Sequence, residues 1–231
     1  LGCVGCRDPY AGFGLGPAQG VVSGCVDRMG GLRRWQAAGT IRAFAVVTVY
    51  DDSGAATVNK HDQVIDLRRG RITASATVPE GRWRAVVNAA GDAKFRAGGA
   101  VMAEGLKDRL LAALGTTLHR VRGPMNLCGY GQSATGLDRV RVDGREMFRV
   151  PATGGASGIV AYYFDAQTFL LTCVTTGSDK AGGDGTVTQY TYTMGPEGMV
   201  FPTRIRVTKI GEHTLIGDRP VLSVDYQNVR F

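Results

Sequence analysis

The chain has 231 residues, and 44% of them are hydrophobic, which is enough for a core and excludes wholesale disorder. No apolar run approaches the ~18–20 residues that cross a bilayer as a helix, so a transmembrane helix is excluded. The 27 basic and 20 acidic residues leave a net charge of +7, which permits attraction to anionic lipid or nucleic acid but decides neither.

The start of the chain, Leu1-Gly2-Cys3, resembles the end of a bacterial lipobox, in which a small residue precedes a lipidated cysteine. The stretch from Arg7 to Gly20 is rich in glycine and proline and has no periodicity, as is typical of a flexible tether. We therefore interpret residues 1–20 as a tether, left after removal of a signal peptide, with Cys3 as the lipid anchor. The alternative is the frayed terminus of a trimmed chain.

Apolar residues between Val22 and Met29 recur at spacings of three and four, which predicts a helix that ends at Gly30-Gly31. Runs of β-branched and aromatic residues begin at Thr40, and four such runs separated by short turns extend to Val87. They predict an antiparallel meander.

In the middle of the chain, Met102, Leu106, Leu110 and Leu114 recur at a spacing of four, opposite charged side chains. This pattern predicts an amphipathic helix that ends at Gly115. Because a meander has no topological need for a helix at this point, we expect the helix to lie as a lid across the open side of the sheet.

Strand patterns resume at Leu137 and continue to the end of the chain, with a hairpin turn at Asp143-Gly144. In the last strand the apolar positions change parity near Gln227-Asn228, which predicts a β-bulge. The 34 glycines suit a fold with many turns. We expect a mainly β (α+β) fold, in which residues 21–231 form one domain. Its core is a single curled antiparallel sheet or half-barrel of about 10–11 strands, with an N-terminal helix and a central helical lid.

Three arginine pairs alternate with apolar residues along predicted strands. This spacing is first of all typical of the solvated face of a half-buried sheet, and secondly of a basic surface for lipid headgroups. Nucleic acid is less favoured, because the aromatic residues needed for base stacking fall on the other face. The pairs are Arg82/Arg84, Arg139/Arg141 and Arg204/Arg206.

Residues able to perform acid–base or nucleophilic chemistry are scattered. His61 and Asp62 are neighbours on a strand and point to opposite faces, which prevents joint action on one substrate. Ser133 and Ser157 lack the strand–turn–helix setting of a hydrolase nucleophile. The five cysteines and three histidines show no metal-ligand spacing. We therefore expect no catalytic residue, no metal and no cofactor.

A curled sheet of eight or more strands can enclose a ligand on its concave side. Aromatic residues come from several predicted strands, and the central helix would present apolar residues to them. Ordinary core packing is the alternative for most of these side chains. The ligand-binding residues expected from this reasoning are Phe44, Trp83, Met102, Leu106, Leu110, Tyr163, Tyr190 and Phe201.

Two local motifs lie near the two ends of the predicted series of helices and strands. One is Gly30–Trp35 (GGLRRW) at the end of the first helix, and the other is Gly198–Ile205 (GMVFPTRI) at a late strand. Together with the strand meander and helical insertion, they resemble the LolA/LolB family of periplasmic lipoprotein carriers and its lipoprotein relatives, over residues 21–231. The resemblance implies an apolar cavity under a helical lid. In the carriers an arginine on an early strand holds the lid closed, and Arg42 is its counterpart in position. The chain lacks the C-terminal extension of the carriers, so a Cys3 anchor would resemble the membrane-attached receptor branch.

The expected function is therefore non-enzymatic binding of a lipid or lipoprotein acyl chain in the concave face of the sheet. Each buried CH2 contributes ~0.8 kcal/mol, so such binding needs no polar motif. We expect a monomer in the bacterial cell envelope, in the periplasm or attached to a membrane surface through its N-terminal lipid, with no nucleic-acid partner.

Two alternatives stay open. One is an enzyme or enzyme accessory that acts on a small hydrophobic substrate in the same cleft, and the other is a purely structural lipoprotein. A carboxylate paired with His61 or His119 in the cleft would favour the enzyme.

Overall fold

The computed structural model describes residues 16–79, 81–99, 104–122, 126–127, 136–152, 158–195 and 198–231. No helix in these ranges is both long enough and apolar enough to span a membrane. The helices are α1 (Pro17–Arg28), α2 (Leu32–Ala38) and α3 (Glu104–Val121). The strands are β1 (Thr40–Tyr50), β2 (Ala56–Asp66), β3 (Arg71–Val78), β4 (Gly81–Asn88), β5 (Ala93–Gly98), β6 (Asp138–Val142), β7 (Arg145–Pro151), β8 (Ile159–Asp165), β9 (Leu171–Thr176), β10 (Thr186–Met194), β11 (Val200–Lys209) and β12 (Pro220–Arg230).

The twelve strands form one curled, unclosed antiparallel sheet made of two meanders, which confirms the mainly β fold. The strand order is β5-β4-β3-β2-β1-β12-β11-β10-β9-β8-β7-β6. The first and last strands, β1 and β12, pair at the centre of the sheet, from Val49 opposite Leu222 to Arg42 opposite Arg230. As a result β5 and β6, which follow one another along the chain, lie at opposite edges.

In this topology α3 is part of the connection between the two edges of the sheet. The chain has to travel from the edge at β5 to the edge at β6, and α3 lies in that connection. It contacts β1, β3, β4 and β11, so it crosses the sheet instead of following one strand. The expectation that a helix is not needed at this point is therefore wrong, because the two meanders are joined at their centre and their outer edges have to be connected.

One face of the sheet, called here the concave face, carries the main core, and the helices pack on it. Strand β1 presents Ile41, Ala43, Ala45 and Val47 to this face, each at most 6% exposed. The buried side of α3 consists of side chains with no exposed surface at all, Leu110, Leu114, Leu118 and Val121. α3 thus fills the space above the sheet in the way of a core helix.

The end of α1 is tied to both α2 and the sheet. The Met29 carbonyl accepts hydrogen bonds from the Val200 backbone N–H (3.1 Å) and from the Trp35 indole Nε1–H (2.8 Å). A helix leaves its last carbonyls without internal partners, so these two donors complete α1. The Trp35 ring is fully buried and stacks on Phe201 with centroids 6.4 Å apart. Gly30 has φ +105°, and a Cβ there would lie 3.0 Å from a backbone oxygen, so this junction requires glycine.

α1 begins earlier than the apolar periodicity at Val22 indicated. Residues 17–20 were predicted as tether, but they form the first turn of the helix, with Ala18 buried. Pro17 suits the first helical position, because its missing N–H would have no partner there. The Gln19 side chain accepts a hydrogen bond from the Gly16 backbone N–H at 2.9 Å, which helps to start the helix. Residues 1–15 of the predicted tether lie outside the described residues.

Two features of the sheet test the predicted strand patterns. The β-bulge near Gln227-Asn228 is confirmed, because the pairing of β12 with β1 shifts register there and Asn228 has φ +53°. Strand β5 was not predicted from the sequence, and with it the sheet has twelve strands. All its residues except Phe95 are exposed, so it shows no alternation of apolar and polar residues.

α3 does not end at Gly115 but continues to Val121. A Cβ at Gly115 would lie 3.7 Å from Val87 Cγ1, an ordinary van der Waals contact, and the residue does not have a positive φ.

We therefore expect Gly115→Ala to raise the free energy of unfolding by roughly 0.5–1 kcal/mol, because alanine loses less backbone entropy than glycine in a helix. Denaturant unfolding measures the change. Gly39→Ala is the control with opposite sign, since Gly39 follows α2 with φ +63° and alanine is strained there. A destabilised Gly115→Ala variant would contradict the described packing of α3 on Val87.

Candidate functional site

Five of the expected ligand-binding residues lie on the concave side or above it. Trp83, Leu110 and Phe201 are in the main core and at most 5% exposed. Leu106 is half-buried near the start of α3, and Tyr190 of β10 packs against the same core. Met102 and the Cys3 anchor lie outside the described residues.

Phe44 and Arg42 lie on the opposite, convex face. β1 pairs with β2 without interruption, so its side chains alternate strictly, and Phe44 stands opposite Asp62 while Arg42 stands opposite Val64. The expectations that Phe44 lines the concave face and that Arg42 latches the lid are therefore wrong. The reason is that β1 carries apolar side chains on both faces, so its sequence does not show which face turns to the core.

Tyr163 is also on the convex face. It belongs to a second, smaller cluster with Met147, Cys173 and Val187, against which Ile210, Leu215 and Ile216 pack. Its prediction as a concave-face residue is wrong, because three aromatic residues follow one another in β8 and alternate between faces. The neighbours Tyr162 and Phe164 face the concave side, with ring centroids 6.5 Å apart.

A chain of hydrogen-bonded polar side chains crosses the concave face from β12 to β2. The Tyr226 hydroxyl donates to Gln63 Oε1 at 3.2 Å, and Gln63 Nε2 donates to His61 Nε2 at 2.8 Å. Ala43 and Ala45 of the intervening strand β1 are small, so Tyr226 can reach over them. Both His61 and Gln63 are only 1% exposed, so this series of hydrogen bonds lies in the core.

The state of His61 follows from these contacts. Because Nε2 accepts a hydrogen bond, the ring proton is on Nδ1, which is buried and has no partner among the described residues. Burial lowers the pKa of His61 to about 4, so the ring is neutral at pH 7. Its partner is an amide, and Asp62 is exposed on the other face, as strand alternation requires. His61 therefore belongs to a buried structural network and not to an acid–base pair.

The concave side remains accessible where the last turns of α3 approach β8. A cavity of about 540 Å³ lies there, which we call the mouth. Its volume falls in the range of small-molecule sites, about 300–1,000 Å³. Its lining combines two kinds of residue. The largely apolar ones, which we call the wall, are Ala89, Ile159 and Tyr162, and the polar and basic ones, which we call the rim, are Thr116, His119, Arg120 and Asn126.

Arg120 is the main charged group of the mouth. Its Nη2 donates to Thr176 Oγ1 at 3.2 Å, while its Nε is buried and has no hydrogen-bond partner among the residues that the structure describes. Burial raises the pKa of Tyr190, and the neighbouring Arg120 guanidinium opposes that rise. Among the described residues no carboxylate lies within ion-pair distance of Arg120. In the described part of the chain, the mouth therefore presents a cation that no nearby acid balances.

His119 adds to this basic environment without carrying a charge of its own. Partial burial and the positive charges of Arg120 and Arg122 lower its pKa, so it is neutral at pH 7. Its backbone carbonyl accepts a hydrogen bond from the Asn126 side chain at 2.5 Å. The prediction that α3 ends at Gly115 hid this site, because the basic sequence from His119 to Arg122 was then assigned to an irregular segment.

No protein-family model matches the chain, and no curated protein matches its sequence. Solved structures do match it. A LolA superfamily protein from Nitrosomonas europaea aligns over 93% of this chain and 93% of its own, at 10% identity and a TM-score of 0.49. A DUF1329 family protein from Desulfovibrio piger aligns over 93% of both chains, at 11% identity and a TM-score of 0.44.

A third similar structure is described as an outer membrane lipoprotein-sorting protein domain, from Vibrio parahaemolyticus. It aligns over 86% of this chain and 89% of its own, at 12% identity and a TM-score of 0.41. The structures that match thus include a LolA superfamily protein and a lipoprotein-sorting domain, which is the kind of relative expected from the sequence. At these identities the likeness concerns the fold alone, and residue roles have to come from this chain.

The neutral, buried His61 should make stability depend on pH. Its pKa is about 4 in the folded protein and ~6.5 in an unfolded chain, so between these values only the unfolded chain binds the proton. Stability is then lost as the pH falls, by about 3 kcal/mol between pH 6.5 and pH 4.

Denaturant unfolding of the wild type and His61→Phe across this pH range tests the expectation. The variant should show a shallower decline, while the contribution of His119 is common to both proteins and cancels. Parallel declines would show that His61 is accessible to protons in the folded state.

Proposed function

We propose that the protein binds an amphipathic ligand with an acyl chain on the concave side of its sheet, through the mouth. The observation that carries this proposal is the mouth itself, which joins an apolar wall to a rim whose arginine, Arg120, pairs with no carboxylate among the described residues. The choice of an acyl chain, from a lipid or a lipoprotein, over other apolar groups follows the resemblance to the LolA/LolB family.

The two parts of the mouth suit the two parts of such a ligand. The apolar chain lies along Ile159 and Tyr162, where each CH2 removed from water contributes about 0.8 kcal/mol. The polar end stays at the rim, where Arg120 offers donors to an oxygen acceptor, and hydrogen bonds of this charge-assisted kind are stronger than neutral ones.

The filled core limits how deep the ligand enters. Leu110 and Leu114 of α3 have no exposed surface, and removing one such side chain from its contacts typically costs 2–5 kcal/mol. An acyl chain longer than the mouth would have to displace part of α3. Binding in the mouth, between α3 and β8, needs no such movement.

Catalysis on a small hydrophobic substrate would use the same cavity. It would call for an imidazole oriented by a carboxylate, yet His119 has two arginines as neighbours and His61 has an amide. These surroundings favour binding, and we propose a non-enzymatic role.

The experiment on the mouth uses 11-(dansylamino)undecanoic acid, a fluorescent probe with an apolar chain and a carboxylate. The wild type should enhance its dansyl emission on binding. Thr116→Trp places a large side chain at the rim from an exposed position of α3, and it should weaken binding at least about tenfold by occupying the cavity.

Ala112→Trp is the matched control, because Ala112 is exposed one turn earlier on α3 and does not line the mouth. It should bind the probe like the wild type. If the two tryptophan variants bind equally, or if the wild type does not bind the probe, the proposal is wrong.

The cell-envelope location rests on the N-terminal motif at Cys3 and on the family resemblance. The full precursor expressed in a bacterium should therefore fractionate with membranes, and Cys3→Ser should release it into the soluble fraction. Equal solubility of both proteins would remove the lipid anchor from the proposal.

A further inference from the structure

The arginine pairs that look alike in the sequence differ in the structure. Arg204 forms an ion pair with Asp225, and Arg139 lies over an aromatic ring, with its guanidinium carbon 5.4 Å from the centroid. Arg82 and Arg84 on β4 have no carboxylate within ion-pair distance among the described residues. Among the described residues, the β4 pair is therefore the pair in which neither arginine has an ion-pair or aromatic-ring partner.

This pair is part of a larger basic surface on the convex face of β3, β4 and β5, which we call the basic patch. Four of its five cations are exposed, and the fifth, Arg71, lies 3.8 Å from Asp66. A depression of about 640 Å³ is lined by four of the five cations, all except Arg82, and by Asp92. The cations of the basic patch are Arg71, Arg82, Arg84, Lys94 and Arg96.

The register of β4 and β5 brings like charges together. Arg84 stands directly opposite Arg96, an arrangement that destabilises a strand pair. Asp92 lines the same depression and accepts a hydrogen bond from the Asn88 side chain at 2.8 Å, but among the described residues it forms no ion pair with a cation of the patch. The repulsion between Arg84 and Arg96 is thus not compensated in the free protein. Contact with an anionic surface would reduce it.

The basic patch and the mouth adjoin each other. Asn88 lines the depression of the patch, and the next residue, Ala89, lines the mouth. Gly70, in the turn before Arg71, lies against the Arg122 guanidinium at the end of α3. A surface that covers the basic patch therefore lies beside the entrance to the concave side.

We propose that the basic patch docks the protein on the surface of an anionic phospholipid bilayer, with the mouth beside that surface. Four cations of β4 and β5, which form no ion pair among the described residues, match the negative potential of such a bilayer, to which each lysine or arginine adds attraction. Single-stranded nucleic acid fits less well, because it needs aromatic side chains among the cations, and here Trp83 and Phe95 stack on each other on the concave face. Docking itself does not require that the mouth binds a ligand.

The test is co-sedimentation with vesicles of phosphatidylcholine alone and of phosphatidylcholine with phosphatidylglycerol. A Cys3→Ser background removes any contribution of an N-terminal lipid. The protein should bind only the anionic vesicles, and added salt should weaken binding. Arg84→Gln combined with Arg96→Gln should weaken it roughly 30-fold, from about fivefold for each cation removed.

Arg139→Gln combined with Arg141→Gln is the matched control, since it removes the same charge from β6 at the other edge of the sheet. It should leave vesicle binding nearly unchanged. Equal losses in the two double variants, or equal binding of the wild type to both kinds of vesicle, would overturn the proposal. So would tighter binding to an oligonucleotide than to the anionic vesicles.

Two further measurements separate this inference from the function proposed for the mouth. The Arg84/Arg96 double variant should still bind the dansyl probe, and Thr116→Trp should still bind the anionic vesicles. Loss of both activities in either variant would show that the two surfaces are not independent and would overturn the assignment of docking to the basic patch.

Discussion

The pairing of β1 with β12 at the centre of the sheet is the constraint on which the rest of the structure depends. It joins two meanders through their inner strands and leaves β5 and β6 as the outer edges. The connection between these edges has to cross a face that is covered by core side chains. A segment in that position cannot leave its backbone groups to water, and a helix satisfies them internally. α3 is the result.

The mouth follows from how the helices share the concave face. α1 and α2 cover the second meander, while α3 packs so closely on the first that its central leucines are fully buried. Space remains where the last turns of α3 meet β8. Basic residues are favourable at the C-terminal end of a helix, because its free carbonyls carry partial negative charge. Arg120 is therefore well placed for the stability of α3, and it also gives the mouth its positive rim.

Strand alternation links the mouth to the basic patch. Successive side chains of extended backbone point to opposite faces. Asn88, the last residue of β4, and Ala89, the first residue of the turn after it, therefore reach two different surfaces although they are neighbours in the chain. One end of the sheet thereby carries the surface proposed for membrane docking on the convex side and the cavity proposed for an acyl chain on the concave side. Their proximity follows from the adjacency of these two residues.

The sequence by itself determined the features that depend on one-sided burial within a single segment. Period-two and helical patterns predicted most strands and the location of α3, and the parity change at Asn228 predicted the bulge. Patterns failed where a segment is polar throughout, as in β5, or apolar on both sides, as at Phe44 and Tyr163. There the neighbouring strand and not the local sequence decides the face. Only the tertiary structure assembled the mouth and the basic patch, because the register between strands and the path of α3 bring together residues that are distant along the chain.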